Sequence, residues 1–117
     1  MMMTIELRAN QVLMNEGDPS DMLYLLHSGE LAIYKYDPKA KVHNLIAYVE
    51  PGEMVGEMSF LDNLPRSATV KAKTDCILRM MNRANFEKIL ATQDPFVHNL
   101  VLTLSDRLRK TNKKIHF

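Results

Sequence analysis

The sequence predicts a mainly β fold closed by C-terminal helices, and two observations carry that prediction. From Thr4 to about Asp75, short apolar runs are broken by clusters of turn residues, the signature of an all-β segment. Near Asn82 the apolar spacing changes to a helical one and stays helical to about Ile115. About seven short strands within about 80 residues fit a barrel or jelly roll. A chain of 117 residues suits one domain, 1–117, with a core of its own. Its β part is expected over about 4–81 and its helices over about 82–115.

Taken in order, Val12-Leu13-Met14 is a short strand followed by the dense turn cluster Asn15 to Asp21. Met22 to Leu26 is a continuous apolar strand, and His27-Ser28-Gly29-Glu30 is the next turn. Leu31 to Tyr36 alternates Leu31, Ile33 and Lys35 against Ala32, Tyr34 and Tyr36. Asp37 to Lys41 is a loop tip, and His43 to Val49 is a strand closed by Glu50-Pro51-Gly52. Ser67 to Lys73 alternates Ala68, Val70 and Ala72 with polar partners, and Cys76 to Met81 is the last strand. Asn82 then caps a short helix whose apolar face is Phe86, Ile89 and Leu90. Asp94 caps the final helix, with Pro95 at its first position, where a missing N–H costs nothing.

Between these β and helical parts, residues 55 to 70 read VGEMSFLDNLPRSATV and hold the chemistry. Met58, Phe60 and Leu61 could pin a single helical turn, which Asp62-Asn63-Leu64-Pro65 ends, because Pro65 biases Leu64 away from helical angles. Backbone N–H groups at the start of that turn, from about Met58 and Ser59, suit phosphate oxygens. Arg66 can hold the same phosphate with two parallel donors of its planar guanidinium. Glu57 only accepts hydrogen bonds, so it suits a sugar hydroxyl. Gly56, without a Cβ, lets the backbone come close to a ligand. A rival reading makes the segment a mere turn in which Glu57 and Arg66 pair with each other.

The stretch resembles the phosphate-binding cassette of the cyclic-nucleotide-binding domain family. Gly56-Glu57-Met58-Ser59-Phe60, the spacer Leu61 to Leu64, and Pro65-Arg66-Ser67-Ala68-Thr69 meet the family pattern at the family spacing. The likeness extends to Glu16–Asp21, to Tyr24–Glu30, and to both C-terminal helices. It implies an antiparallel β-roll, a double-stranded jelly-roll-like barrel with a short cassette helix and a C-terminal helix pair. It also implies that Glu57 binds the ribose 2′-hydroxyl and Arg66 the cyclic phosphate, assisted by the amides of Ser59 and Ser67. Asn10 falls where the family often has glycine, and asparagine tolerates left-handed angles better than most residues.

Arg107-Leu108-Arg109-Lys110-Thr111-Asn112 resembles the terminal helix of the bacterial catabolite-activator regulators. By that likeness Thr111 and Asn112 reach the purine's amino edge, and Arg107 approaches Glu57 or the base. Ser67 bears on base choice too: in the family a hydroxyl here can bond a guanine held syn, yet the catabolite-activator group carries serine and binds cyclic AMP. Cyclic AMP is therefore expected over cyclic GMP. Discrimination would rest on one or two hydrogen bonds of about 1 kcal/mol each. Val97, Val101, Leu104, Leu108 and Ile115, with Thr111, space like a short coiled-coil seam, so a homodimer through this helix is expected.

Composition excludes other classes. With 46% hydrophobic and 25% charged residues the chain resembles an ordinary globular domain. A net charge of +1 leaves no footprint for a polyanion, and the basic run from Arg107 to Lys114 has no interleaved aromatics. The lone Cys76 rules out an internal disulfide and reads as a small buried hydrophobe. The nine methionines, apart from those at the start, read as core filler. His27, His43, His98 and His116 are isolated, which argues against a metal site and a cupin-like metal enzyme. No catalytic set emerges and no cofactor is expected. No run approaches the roughly 18 apolar residues of a membrane span, so a cytoplasmic chain is expected. No DNA-binding domain is expected within this chain. The expectation is a sensor alone, whose ligand moves the C-terminal helix for a downstream protein or an attached effector domain to read. The alternative is a ligand-free dimerisation module of the same fold, against which the intact Glu57 and Arg66 argue.

Overall fold

The computed structural model describes residues 3–92 and 94–104. Eight strands come first apart from one short inserted helix. They are β1 (Met3–Leu7), β2 (Val12–Met14), β3 (Met22–Ser28), β4 (Leu31–Asp37), β5 (Val42–Val49) and β6 (Met54–Val55), then β7 (Thr69–Ala72) and β8 (Cys76–Asn82). Helix α1 (Glu57–Asp62) lies between β6 and β7, and α2 (Arg83–Ala91) follows β8. Residues 95–104 are helical again and are called α3.

All pairings are antiparallel, as the β-roll expectation required. The strands form two four-stranded sheets, β1-β8-β3-β6 and β2-β7-β4-β5, and do not close into a barrel. One apolar cluster draws on both: Leu26, Val55 and Leu78 from the first sheet, Leu31, Ile33, Val49 and Val70 from the second. Phe60 of α1 is also completely buried. Alternation places these residues on the inner faces while Tyr34, Tyr36 and Tyr48 point outward. In β5 one extra residue, Ile46, interrupts the pairing, since Ile33 faces Ala47 while Tyr34 faces Leu45.

Several local expectations differ in detail. β3 runs through His27 and Ser28, so the turn narrows to Gly29-Glu30. Gly29 has φ +90°, and a Cβ there would collide with the Asp75 carbonyl and Cys76. Met14 and Met81 fill the core as expected, whereas Met54 is exposed and lines the cavity described below. Asn10 takes the left-handed angle expected of it, φ 74°. The Asn82 side chain accepts from the Asn85 amide at 2.8 Å, and Asp94 Oδ1 accepts from the Phe96 amide at 2.8 Å, so both helix caps are made. Phe96, Leu100 and Leu104 of α3 are exposed. Of the expected seam, Val97 and Leu104 are exposed and Val101 is half-buried, while Leu108, Thr111 and Ile115 lie outside the described residues.

Candidate functional site

Helix α1 begins where β6 ends, and its geometry follows from its flanks. Gly56 before it has φ 73° and Asn63 after it φ 54°, both left-handed, so the helix is short at each end by conformation. Phe60 anchors it in the core, its ring edge-on to Phe86 of α2 with centroids 5.3 Å apart. The returning segment is pinned independently: the Arg66 amide donates to Asp18 O and the Gly17 amide to Arg66 O, each at 2.8 Å. Ser20, buried in the turn cluster, donates to both Ser59 O at 2.9 Å and Leu64 O at 2.6 Å. One hydroxyl thereby ties the helix to the loop that leaves it.

These elements enclose a cavity of about 240 Å³. Gly56, Glu57, Met58, Ser59, Arg66, Ser67 and Ala68, the cassette residues singled out from sequence, all line it. The facing wall is apolar, made by Ile33, Ala47, Val49 and Val70. Sequence reasoning left that wall unassigned, because inward positions of β4, β5 and β7 look like any core residues. Arg107, Thr111 and Asn112, expected to reach the base, lie outside the described residues.

Arg66 is almost fully buried, at 3% exposure. Its Nη1 donates to Gly56 O at 2.8 Å and to Ser59 Oγ at 3.3 Å, and its Nη2 to Met22 O. The Tyr24 ring lies beside the guanidinium, 5.8 Å from its centroid. Three hydrogen bonds of five possible donors leave the Nε–H with no partner. A buried unpaired donor costs about 1–3 kcal/mol, and an anionic oxygen is the acceptor that satisfies it best. Burial lowers the guanidinium's proton affinity, and the neighbouring Arg83 charge adds to that, while Tyr24, Asp21 and Asp18 oppose it.

Glu57 and Arg66 form no ion pair, so the rival reading of a self-paired turn is not what the fold adopts; among the described residues the ion pair is Lys73–Glu30. Burial raises the Glu57 carboxyl above its ordinary value, partly offset by its own backbone amide and by Arg66. Glu57 therefore lines the cavity as an acceptor with no competing cation clamped to it. Arg83, at the start of α2, lies 4.4 Å from the Phe60 ring centroid and donates to Ser20 O at 2.8 Å. Ser20 and Arg83 were not legible as site residues; one sits among turn formers and the other reads as an ordinary first helical position. No group of histidine, cysteine and carboxylate side chains suited to a metal occurs among the described residues.

A sheet-lined cavity with a nearly buried, incompletely paired arginine in its lining defines a small-molecule binding class. Residues 4–93 match the family model of the cyclic nucleotide-binding domain, and the chain belongs to that family. That family is a binding domain rather than a catalytic one. The chain is 34% identical over 87 residues to a cAMP-dependent protein kinase regulatory subunit of Emericella nidulans, covering 74% of this chain and 20% of that protein. It is 31% identical over 100 residues to a CRP-like cAMP-activated global transcriptional regulator of Mycobacterium tuberculosis, covering 86% and 44%. Among solved structures, the regulatory domain of Toxoplasma gondii PKA with cAMP superposes with a TM-score of 0.71 at 34% identity, covering 75% and 33%. The chain thus spans less than half the length of either curated relative. No helix among the described residues is long and apolar enough to cross a membrane.

Proposed function

We propose that the chain is a cyclic-nucleotide sensor of the cytoplasm, a single domain that binds cyclic AMP in preference to cyclic GMP. The observation that carries this is the unpartnered Nε–H of buried Arg66, a residue that lines the cavity beside the start of α1. The cyclic phosphate takes that donor and the amides of Ser59 and Ser67. Glu57 accepts from the ribose 2′-hydroxyl, and the purine lies along the apolar wall. The preference for adenine is supported by the cyclic AMP in the names of the relatives, and it would come from Thr111 and Asn112, with Arg107 near Glu57 or the base. A ligand shifts the C-terminal helix only through its differential affinity for the closed arrangement. The exposed apolar residues of α3 support pairing of two copies through that helix.

Calorimetric titration of the purified chain with cyclic AMP and cyclic GMP tests the reading. Dissociation constants well below about 1 mM, a free energy near 4 kcal/mol, are expected, with cyclic AMP the tighter. Binding of neither nucleotide in that range overturns it.

A further inference from the structure

Lys35 is a cation on the inner row of β4. The strand's inner row is Leu31, Ile33, Lys35 and Asp37, the first two buried in the core. Its outer row carries Tyr34 and Tyr36, which meet Lys71 and His43 on the solvent side. Two residues advance a strand by about 6.6 Å, so Lys35 stands one step beyond Ile33, which lines the cavity, without itself being part of the lining. Its Nζ donates to Ser67 O at 2.6 Å. No carboxylate among the described residues pairs with it. A lysine fixed by one neutral carbonyl to Ser67, which lines the cavity, keeps two donors and a full charge for something else.

We infer that Lys35 is a specificity-determining residue that reads the acceptor edge of the purine. The inference rests on the nucleotide reading above, which commits the cassette end to phosphate and sugar and leaves a flat ring against Ile33, Ala47 and Val49. The ring edge that passes Ile33 meets the ammonium. An ammonium only donates, and guanine presents two adjacent acceptors, N7 and O6, whereas adenine places an amino donor beside its N7. Lys35 therefore favours 6-oxo purines and works against the adenine preference expected from the terminal helix. It narrows the gap between the two nucleotides rather than widening it.

Titrations of the full chain and of Lys35→Met and Lys35→Arg with cyclic AMP, cyclic GMP, cyclic IMP and 7-deaza-cyclic GMP test this. Cyclic IMP keeps O6 and N7 without the 2-amino group, and the deaza analogue lacks N7. In Lys35→Met, cyclic GMP and cyclic IMP are expected to weaken about tenfold, the exchange of one charged hydrogen bond. Cyclic AMP should change less than twofold, and Lys35→Arg should restore most of the loss. The deaza analogue should bind the unaltered chain more weakly than cyclic GMP. Equal losses for all ligands would assign Lys35 to the phosphate or to the shape of the cassette, and unchanged affinities would leave it only a strap on Ser67; either overturns the inference. An unaltered chain that binds cyclic AMP but no 6-oxo nucleotide overturns it too, whereas one that binds none overturns the sensor reading itself.

Discussion

Arg66 Nη1 and the Gly56 carbonyl are joined at 2.8 Å, so the cassette's arginine is locked to the residue that opens its helix. A Cβ at Gly56 would collide with that same Nη1, and φ +73° is strained for any other residue. Gly56→Ala is expected to cost about 1–3 kcal/mol of stability and to displace the guanidinium. Urea unfolding reads the first and nucleotide titration the second. An unchanged midpoint contradicts the packing described here.

Arg66 holds acceptors as well as offering donors. Removing it takes a donor from each of Gly56 O, Met22 O and Ser59 Oγ, though Gly56 O keeps the Phe60 amide and the Ser59 hydroxyl. Arg66→Ala should therefore lower stability by about 1–3 kcal/mol and abolish most nucleotide affinity. Arg66→Lys should recover part of the stability but little of the affinity, since a point charge cannot reproduce the fork. Melting curves beside titrations separate the two effects.

Glu57 carries two expectations. Glu57→Ala should weaken ribonucleotides more than their 2′-deoxy analogues; equal losses would remove Glu57 from the sugar. The second concerns pH. Its carboxyl is raised by burial, so between the ordinary value and the raised one the folded chain binds more protons than the unfolded chain. Its contribution to stability therefore falls as pH rises through that window. Glu57→Gln removes the penalty. Relative to the parent, the variant's Tm should gain as pH climbs from acid to neutral, and a difference flat with pH would refute the raised value.

Ser20→Ala leaves Ser59 O and Leu64 O without their shared donor. A loss of about 1–3 kcal/mol is expected, because Leu64 O loses the hydroxyl and Ser59 O keeps only backbone donors such as the Leu64 amide. Hydrogen exchange should show the added opening in residues 57–66 before it shows in β8. Uniform loss of protection would mean that Ser20 supports the whole fold rather than the cassette.

The sequence made the cassette legible because its devices are local: a glycine, a proline, a buried phenylalanine and an arginine at fixed spacing. The same holds for the Asn82 and Asp94 caps and the left-handed Asn10. Strands β1 and β6 were not resolved from sequence. β6 is only Met54-Val55, too short for any alternation, and β1 is a sheet edge that buries only half of Ile5 and Leu7. Ser20 escaped because turn-forming serines and buried anchoring serines look alike in composition. Met54 misled for a related reason: apolar character says nothing of which way a two-residue strand points. The cavity wall and Lys35 required the register of β4 against β5 and β7, which is a long-range fact.

Cys76, the lone thiol, is 2% exposed on β8 and points at the carbonyls of Glu30 and Thr74. β8 is hydrogen-bonded on both sides, to β1 and β3. An alkylating reagent can reach that sulfur only when the inner strand parts from a neighbour, so the labelling rate is a clock for such excursions. Any compound that tightens the roll slows the clock, and the molecule thus carries its own unmodified reporter of ligand engagement.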